Sequence, residues 1–422
     1  MILRDPVHGL ISFEGRVQGV VARLMDAREV QRLRRIRALG HASIAFPGAE
    51  HSRFSHAVGS AHVMQRYLDR VRRLASDIPA SDRIDDDMAR VALAAALLHD
   101  VGHGPLSHTF EAALPDGRAH EEWTSSIILD PDTEVHAILD DIDPRMPALV
   151  ERLVHGQSPI RHLARAVSGT FDVDRCDYLL RDSYMTGVRY GLLDLDWLLA
   201  ALRLYLPDGD DACALAVDGE KGLTAVEGFF LSRLYMYRQV YLHKAVRAAD
   251  AISRALFRRL GDLPPQPGTP PALESLLRGR GVSTGAYLEL DDSALQAAIR
   301  SWADGSDAVL ADLARRQRDR RLFKSLPLRA DVPQALAKAR LDEVLRAAGH
   351  VPEYAGGIDR VEIDAYIEDE ALVVLGSRGR PERLLDASPV MHGLSRETFV
   401  HYRALFPHEL RDAVSEALAD LR

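Results

Sequence analysis

Three histidines and an aspartate fall within one short stretch of this chain, 97-LLHDVGHGPLSH-108, as His99, Asp100, His103 and His108. His56 lies upstream and Asp174 downstream, and they extend the same chemistry. Imidazole and carboxylate in this mixture suit a divalent transition metal. Such a metal activates water at neutral pH and holds a phosphoryl oxygen, so the chemistry implied is metal-assisted hydrolysis of a phosphate ester. With 17 histidines in the chain, a His-Asp pair alone is a weak signal. Its surroundings strengthen it. Ala92 to Leu98 is almost wholly apolar and reads as a buried helix. Ending a buried helix on an imidazole and a carboxylate is costly unless both are paired or ligated. Gly102 and Gly104 then break the helix, and Pro105 can open a new element.

The elements that must carry these residues are mostly helices. Apolar spacing predicts helices over 52–76, 86–98, 174–185, 224–260 and 292–320. Five prolines between Leu263 and Leu273 mark a linker or surface loop. Segments 360–367 and 371–376 alternate like two strands with a turn between them, and the region from Val390 to Phe406 reads as helix again. The expected fold is mainly α, a helical core with a small α+β C-terminal lobe. On the 174–185 helix, Asp174, Tyr178, Arg181 and Asp182 share one side; on the next, Arg233, Tyr237, Tyr241 and Lys244 do. Cations and tyrosines on one face suit an anionic, planar ligand, although a solvated helix face would look the same.

Composition narrows the class. A chain of 422 residues suggests one large domain and a smaller one. A net charge of −9 argues against a general nucleic-acid binder. Two cysteines form no disulfide framework, and no apolar run reaches the ~18 residues of a membrane span. A cytoplasmic protein without a membrane or nucleic-acid partner is expected.

Several blocks in order, 4-RDPVHGLI-11, 32-RLRRIRALG-40, 46-FPGAEHSRFSHAVG-59, 98-LHDVGHGPLSH-108, 172-DVDRCDYLLRD-182 and 233-RLYMYRQVYLHK-244, resemble the HD-superfamily phosphohydrolases. The nearest resemblance is to the deoxynucleoside triphosphate (dNTP) triphosphohydrolases. It implies an HD core over residues 1–260; the pattern of the remaining chain adds a helical extension over 261–350, after the Pro-rich linker, and a small α+β lobe over 351–422. It implies His56, His99, Asp100 and Asp174 as ligands of a divalent metal (Mn, Fe, Zn, Ni, Co or Mg), with His51 behind them. It further implies His103, His108 and His120 around the scissile bond, with His108 as general acid. Substrate would be held by Arg53, Arg175, Tyr178, Asp182, Arg233, Tyr241 and Lys244, with Tyr241 excluding a 2′-hydroxyl. The products would be deoxynucleoside and triphosphate.

The sequence departs from the family pattern at Ala38 and Leu242, where glutamines often stand and one reads the sugar 3′-hydroxyl. An HD hydrolase acting on a monophosphate, a cyclic nucleotide or an alarmone, or a non-catalytic nucleotide sensor, therefore stays open. The resemblance also implies a homodimer or homotetramer and a regulatory nucleotide at Asp26, Gln31 and Arg34. The same stretch, 26-DAREVQRLRRI-36, equally reads as a helix capped by Asp26 with the other two on its exposed side.

Overall fold

The computed structural model describes residues 1–74, 78–115, 117–169, 171–364, 366, 372–376 and 379–422. The chain opens with an antiparallel hairpin, β1 (Ile2–Asp5) and β2 (Gly9–Ser12). Then follow α1 (Gly15–Met25), α2 (Arg28–Arg32), α3 (Arg53–Arg73), α4 (Asp86–Leu98), the single turn α5 (His108–Glu111) and α6 (His120–Leu129). A layer of α7 (Glu134–Ile142), α8 (Met146–Val154) and α9 (Arg161–Val167) leads to α10 (Val173–Thr186) and α11 (Leu195–Ala201).

The center of this core is α4. Asp85 caps its N-terminus, accepting from Met88 N–H, and Asp86 and Asp87 complement the helix dipole in the first turn. From Val91 to Leu98 every residue is buried, against α1, α3 and α8. A helix apolar on all sides has no solvent face, so its last turn can only end inside the protein. α10 packs on α3, starts at the Asp172 cap and stops at Gly187, whose φ of 78° is the left-handed conformation glycine adopts without strain.

The helix expected over 224–260 is two. α12 (Leu223–Met236) runs into a π-helical turn at Tyr237–Tyr241, and α13 (Lys244–Asp262) starts after His243, whose ring caps it. The extra residue in the π turn rotates everything after it relative to α12. The 292–320 helix is likewise split, into α16 (Asp292–Ala303) and α17 (Ala308–Arg318). With α14 (Pro271–Leu277) and α15 (Thr284–Leu288) they build a second apolar core on α13, around Phe257, Trp302 and Leu313.

Two further sheets complete the fold. β3 (Leu202–Tyr205), β4 (Ala214–Asp218), β7 (Val373–Leu375) and β8 (Pro381–Arg383) form one, in which β4 and β7 run parallel. β5 (Lys324–Pro327), β9 (Thr398–Phe406) and β6 (Gly357–Asp364) form the other, antiparallel throughout, with α18 (Gln334–Ala347) packed against it. Four short helices, α19 (Pro352–Ala355), α20 (Leu384–Ala387), α21 (Pro389–Leu394) and α22 (Arg411–Ala417), fill the C-terminal part.

Two expectations change here. The strands read over 360–367 and 371–376 do not pair with each other: β6 pairs with β9, and β7 with β4 and β8. Residues 365 and 367–371, including the turn expected between them, lie outside the described residues. The helix expected through Phe406 ends at Leu394, and 398–406 is the central strand β9, burying Tyr402, Ala404 and Phe406. Ala, Leu and Arg in that stretch favour helix locally, but partners more than 30 residues away in sequence decide for strand.

Candidate active site

The end of α4, the start of α3 and the start of α10 meet at one point. His56 comes from the first turn of α3, Asp174 from the first turn of α10, and His99 and Asp100 from the residues just past α4. His56 Nε2 lies 2.9 Å from Asp174 and 3.8 Å from Asp100; His99 Nε2 lies 3.5 Å from Asp174 and 3.6 Å from Asp100. The other ring nitrogens are taken. His56 Nδ1–H donates to Asp177 at 2.8 Å, and His99 Nδ1–H to the Ala96 carbonyl at 2.9 Å. Both Nε2 atoms thus face the two carboxylates, and His99 Nε2 is buried with no hydrogen-bond partner among the described residues. An orphaned imidazole nitrogen aimed at two carboxylates fits a divalent metal, with Asp177 orienting His56 from behind. Burial by itself would lower the His56 pKa, but Asp174 and Asp177 raise it to about 10, so the metal-free cluster holds protons that a metal would displace.

Asp177 is missing from the sequence-based site. It is fully buried and accepts from His8 at 2.7 Å, from His56, and twice from Arg181 at 2.9 Å. Arg181 also donates to Asp5 of β1 at 2.8 Å. The N-terminal hairpin therefore braces the cluster. Arg181 turns into this buried network and away from the ligand-facing stripe expected for it. The only sequence signal for Asp177 is its place three residues after Asp174 on the same helix.

Beside the cluster opens a cavity of about 590 Å³, in the size range of nucleotide-scale ligands. His103, His108 and His120 stand together on its wall: the His103 and His120 rings stack at 3.7 Å, and His108 lies 5.1 Å from His103. Glu111, a second residue the sequence reading missed, joins all three. It accepts from His108 Nδ1 at 3.1 Å and lies 3.1 Å from His103 and 3.2 Å from His120. Burial raises its pKa, but contacts with the three histidines outweigh that and hold it below the carboxylate range. Only its position one turn after His108 hinted at this role. His103 is itself lowered to about 4, by burial and by Arg53, and stays neutral. Leu106 (φ 60°) and Ser107 (φ 52°) reach His108 through left-handed backbone rare for residues with side chains. Such backbone costs roughly 1–3 kcal/mol per residue and persists where the surroundings fix it. Asp292 does so here, accepting from Leu106 N–H and from Arg37 N–H.

Arg53 is buried, donating to Ser107 Oγ at 2.9 Å and to Asp100. Arg175 lines the cavity and pairs with Asp172. Tyr178, Asp182 and Tyr241 also line the cavity; the Tyr178 ring lies 6.4 Å from that of His56, and Asp182 accepts from His51 at 2.9 Å and from the Tyr241 hydroxyl at 2.7 Å. Ala38 and Leu242 also line the cavity and offer no side-chain amide. Arg233 and Lys244 are not among the lining residues. Arg233 sits over the Tyr237 ring at 5.0 Å, and Lys244 is exposed at the start of α13. The π turn accounts for Lys244, because it breaks the helical register between α12 and α13; Arg233 lies before it. Arg247, on α13, lines the cavity in their stead.

The three regulatory candidates lie apart from the cavity. Gln31 donates to the Met25 carbonyl at 2.6 Å, Arg34 donates to Gln31 at 2.8 Å, and the Arg34 guanidinium stacks 3.6 Å from the Phe54 ring center. Asp26 is exposed and follows α1 as its C-terminal cap residue; the cap of α2 is Ala27, so Asp26 is not the helix cap its sequence suggested.

The HD-domain family profile matches residues 53–146, and the HD-associated region matches 210–421. The chain is 32% identical to the uncharacterized protein YwfO of Bacillus subtilis, over 97% of this chain and 92% of that protein. It is 29% identical to the deoxynucleoside triphosphate triphosphohydrolase SAMHD1 homologue of Dictyostelium discoideum, over 60% of this chain and 49% of that protein, so it spans about half that relative's length. A crystal structure of a phosphohydrolase from Bacteroides thetaiotaomicron superimposes with a TM-score of 0.81 at 26% identity, covering 97% of this chain and 100% of the other. No helix among the described residues is long and apolar enough to cross a membrane.

Proposed function

The chain belongs to the HD-domain metal-dependent phosphohydrolases that carry the HD-associated region, and on that premise we propose that it hydrolyses deoxynucleoside triphosphates at the α-phosphate, releasing deoxynucleoside and inorganic triphosphate. The observation that carries this reading is the group of Tyr178, Asp182 and Tyr241 that lines the same cavity as the histidines. Asp182, already fixed by His51 and Tyr241, lines the same cavity as the metal cluster and would act as a hydroxyl acceptor for a sugar.

His56, His99, Asp100 and Asp174 would hold the divalent metal, of the class Mn, Fe, Zn, Ni, Co or Mg. When bound, it supplies Lewis acidity for water and for a phosphoryl oxygen. Arg53, Arg175 and Arg247 offset the charge of the phosphates. Water oxygen forms the new bond to the α-phosphorus as the bond to the 5′-oxygen breaks. His108, steadied by Glu111, delivers a proton to that departing oxygen, and His103 and His120 hold the groups around it. Tyr241, whose hydroxyl is tied to Asp182, packs against the sugar where a 2′-hydroxyl would need space.

A second reading rests on Ala38 and Leu242. Without amides at these positions the cavity discriminates less between sugars, and another nucleotide could be the substrate. One experiment separates the readings: metal-loaded protein incubated with a panel of dNTPs, NTPs, monophosphates, cyclic nucleotides and alarmones, with products resolved by chromatography. Triphosphate from dNTPs faster than from NTPs is expected, with kcat reduced by about 10²-fold in His108→Ala at unchanged metal content. Orthophosphate from a monophosphate, or no turnover of dNTPs, would overturn the reading. A symmetric dimer or tetramer is part of the proposal, and light scattering that gives the monomer mass of 46.7 kDa would refute it.

A further inference from the structure

The His103 and His120 rings each present two edges to different carboxylates. Their Nε2 atoms face the catalytic cluster, 3.3 and 3.9 Å from Asp100. Their Nδ1 atoms, on the other edge, lie 3.1 and 3.2 Å from Glu111 Oε1. His108 Nδ1 completes the group, 3.1 Å from Glu111 Oε2. One nitrogen from each of the three histidines and one oxygen of Glu111 all fall within 4.8 Å of one another.

Hydrogen bonds do not satisfy this group. His103 Nδ1, His120 Nδ1 and Glu111 Oε1 are all buried, and none of the three has a hydrogen-bond partner among the described residues. His103 is only 1% exposed, so water does not replace the missing partner. Buried polar atoms left open cost free energy, and a cation shared among them removes the cost. Each of the two rings already turns its other nitrogen toward Asp100, the support that a ligating imidazole needs. Three imidazoles and a carboxylate are a donor set that tetrahedral zinc takes. Glu121 adds a carboxylate 3.2 Å from His120 Nδ1. Arg53, the cation that acts on His103, is itself paired with Asp100 and Ser107.

We propose that His103, His108, His120 and Glu111 form a second, inhibitory site for a divalent ion of the zinc type, held through the three Nδ1 atoms and the Glu111 carboxylate. This site is separate from the catalytic cluster. It uses the ring edges turned away from Asp100 and shares no ligand with His56, His99, Asp100 and Asp174. Binding displaces whatever protons the nitrogens carry. The inhibition rests on the reading of His108 as general acid. A metal on its Nδ1 leaves Nε2–H as the only proton of the ring, and a neutral imidazole is a far weaker acid than imidazolium. Glu111, which steadies His108, is occupied at the same time. Excess metal therefore silences the acid that the departing oxygen requires.

Binding is tested without reference to any substrate. Full-length His56→Ala/His99→Ala, which lacks both catalytic histidine ligands, is titrated with zinc by calorimetry, and the zinc kept after gel filtration is counted by elemental analysis. One equivalent is expected to remain. Adding Glu111→Gln and His120→Asn should weaken it by at least tenfold. A second measurement uses the otherwise native protein, loaded with its first metal. A further equivalent of Co(II) should bring new visible absorption bands, and His120→Asn, which leaves the catalytic ligands whole, should remove them. Hydrolysis of the nucleotide that the substrate panel identifies should fall at least tenfold as this equivalent binds, and return when a chelator strips it. No zinc kept by folded His56→Ala/His99→Ala, zinc affinity that survives Glu111→Gln/His120→Asn, or Co(II) bands unchanged in His120→Asn would each overturn the site. Full hydrolysis with the second equivalent bound would overturn the inhibition. Absence of dNTP turnover beside a bound second equivalent supports the site and counts against the substrate reading alone.

Discussion

A histidine can serve a metal only if its second nitrogen is occupied, and this chain occupies it in two different ways. His99 uses a carbonyl of its own helix, which any helix end provides; His56 uses Asp177, a buried carboxylate that four donors surround. The second arrangement is more exposed to mutation. In Asp177→Asn the ring of His56 loses its charged acceptor, and Arg181 and His8 lose a counter-charge. Metal affinity should fall by roughly 10- to 100-fold, the usual cost of removing such a carboxylate, while the donor atoms themselves remain. Chelator competition on the purified variant reads this directly. An unchanged affinity would mean that the His56 orientation is fixed by packing alone.

At the scale of elements, the site depends on how closely α3 and α10 approach. Gly59 of α3 sits where any Cβ would fall on the Asp177 carboxylate and the Arg181 guanidinium. Gly59→Ala should therefore push α10 away from α3 and move Asp174 and Asp177 together, because both ride on that helix. Overpacking of this kind costs about 1–3 kcal/mol. Thermal melting should show that loss, and the metal content should drop with it. A variant with native stability and full metal would show that α10 yields without cost. The π turn at Tyr237–Tyr241 is the other decisive element. It ends the register of α12, brings Arg247 to the cavity and leaves Lys244 outside its lining. A turn of this type is expected at functional sites, where it re-aims side chains.

Across the whole molecule, acid should weaken the fold through histidines buried in neutral form. Burial, with His8 and Arg66 nearby, lowers His62 to about 4, and burial also lowers His41 and His162. Between the unfolded value near ~6.5 and about 4, the unfolded chain binds protons that the folded chain refuses. The contribution of these histidines is then full above pH 6.5 and declines as pH falls through that window, by at most about 1.4 kcal/mol per pH unit for each. Urea midpoints measured from pH 7 to pH 4 should follow this slope, and His62→Gln should make it shallower. A variant with the same slope as the parent would remove His62 from the account.

Local patterns in the chain carry a good deal of this. The apolar run before His99 determines that α4 is buried, hence that His99 and Asp100 emerge inside the protein and need partners. The spacing in 172-DVDRCDYLLRD-182 determines a capped helix with Asp174 in its first turn. What remained out of reach depends on groups distant in sequence. Asp177 acquires its meaning from His8 and Asp5 near the N-terminus, and Glu111 from three histidines that meet only in the folded chain. β9 mixes strand formers (Thr398, Phe399, Val400, Tyr402) with helix formers (Arg403, Ala404, Leu405), and β5 and β6 decide for strand by satisfying its backbone on both sides. The π turn leaves no periodic signature, since a single added residue is invisible to a 3.6-residue pattern. Local propensity and burial are short-range and can be read along the chain. The choice of partners, which fixes charge networks, sheet order and the shape of the cavity, is settled only when the tertiary fold brings the two sides together.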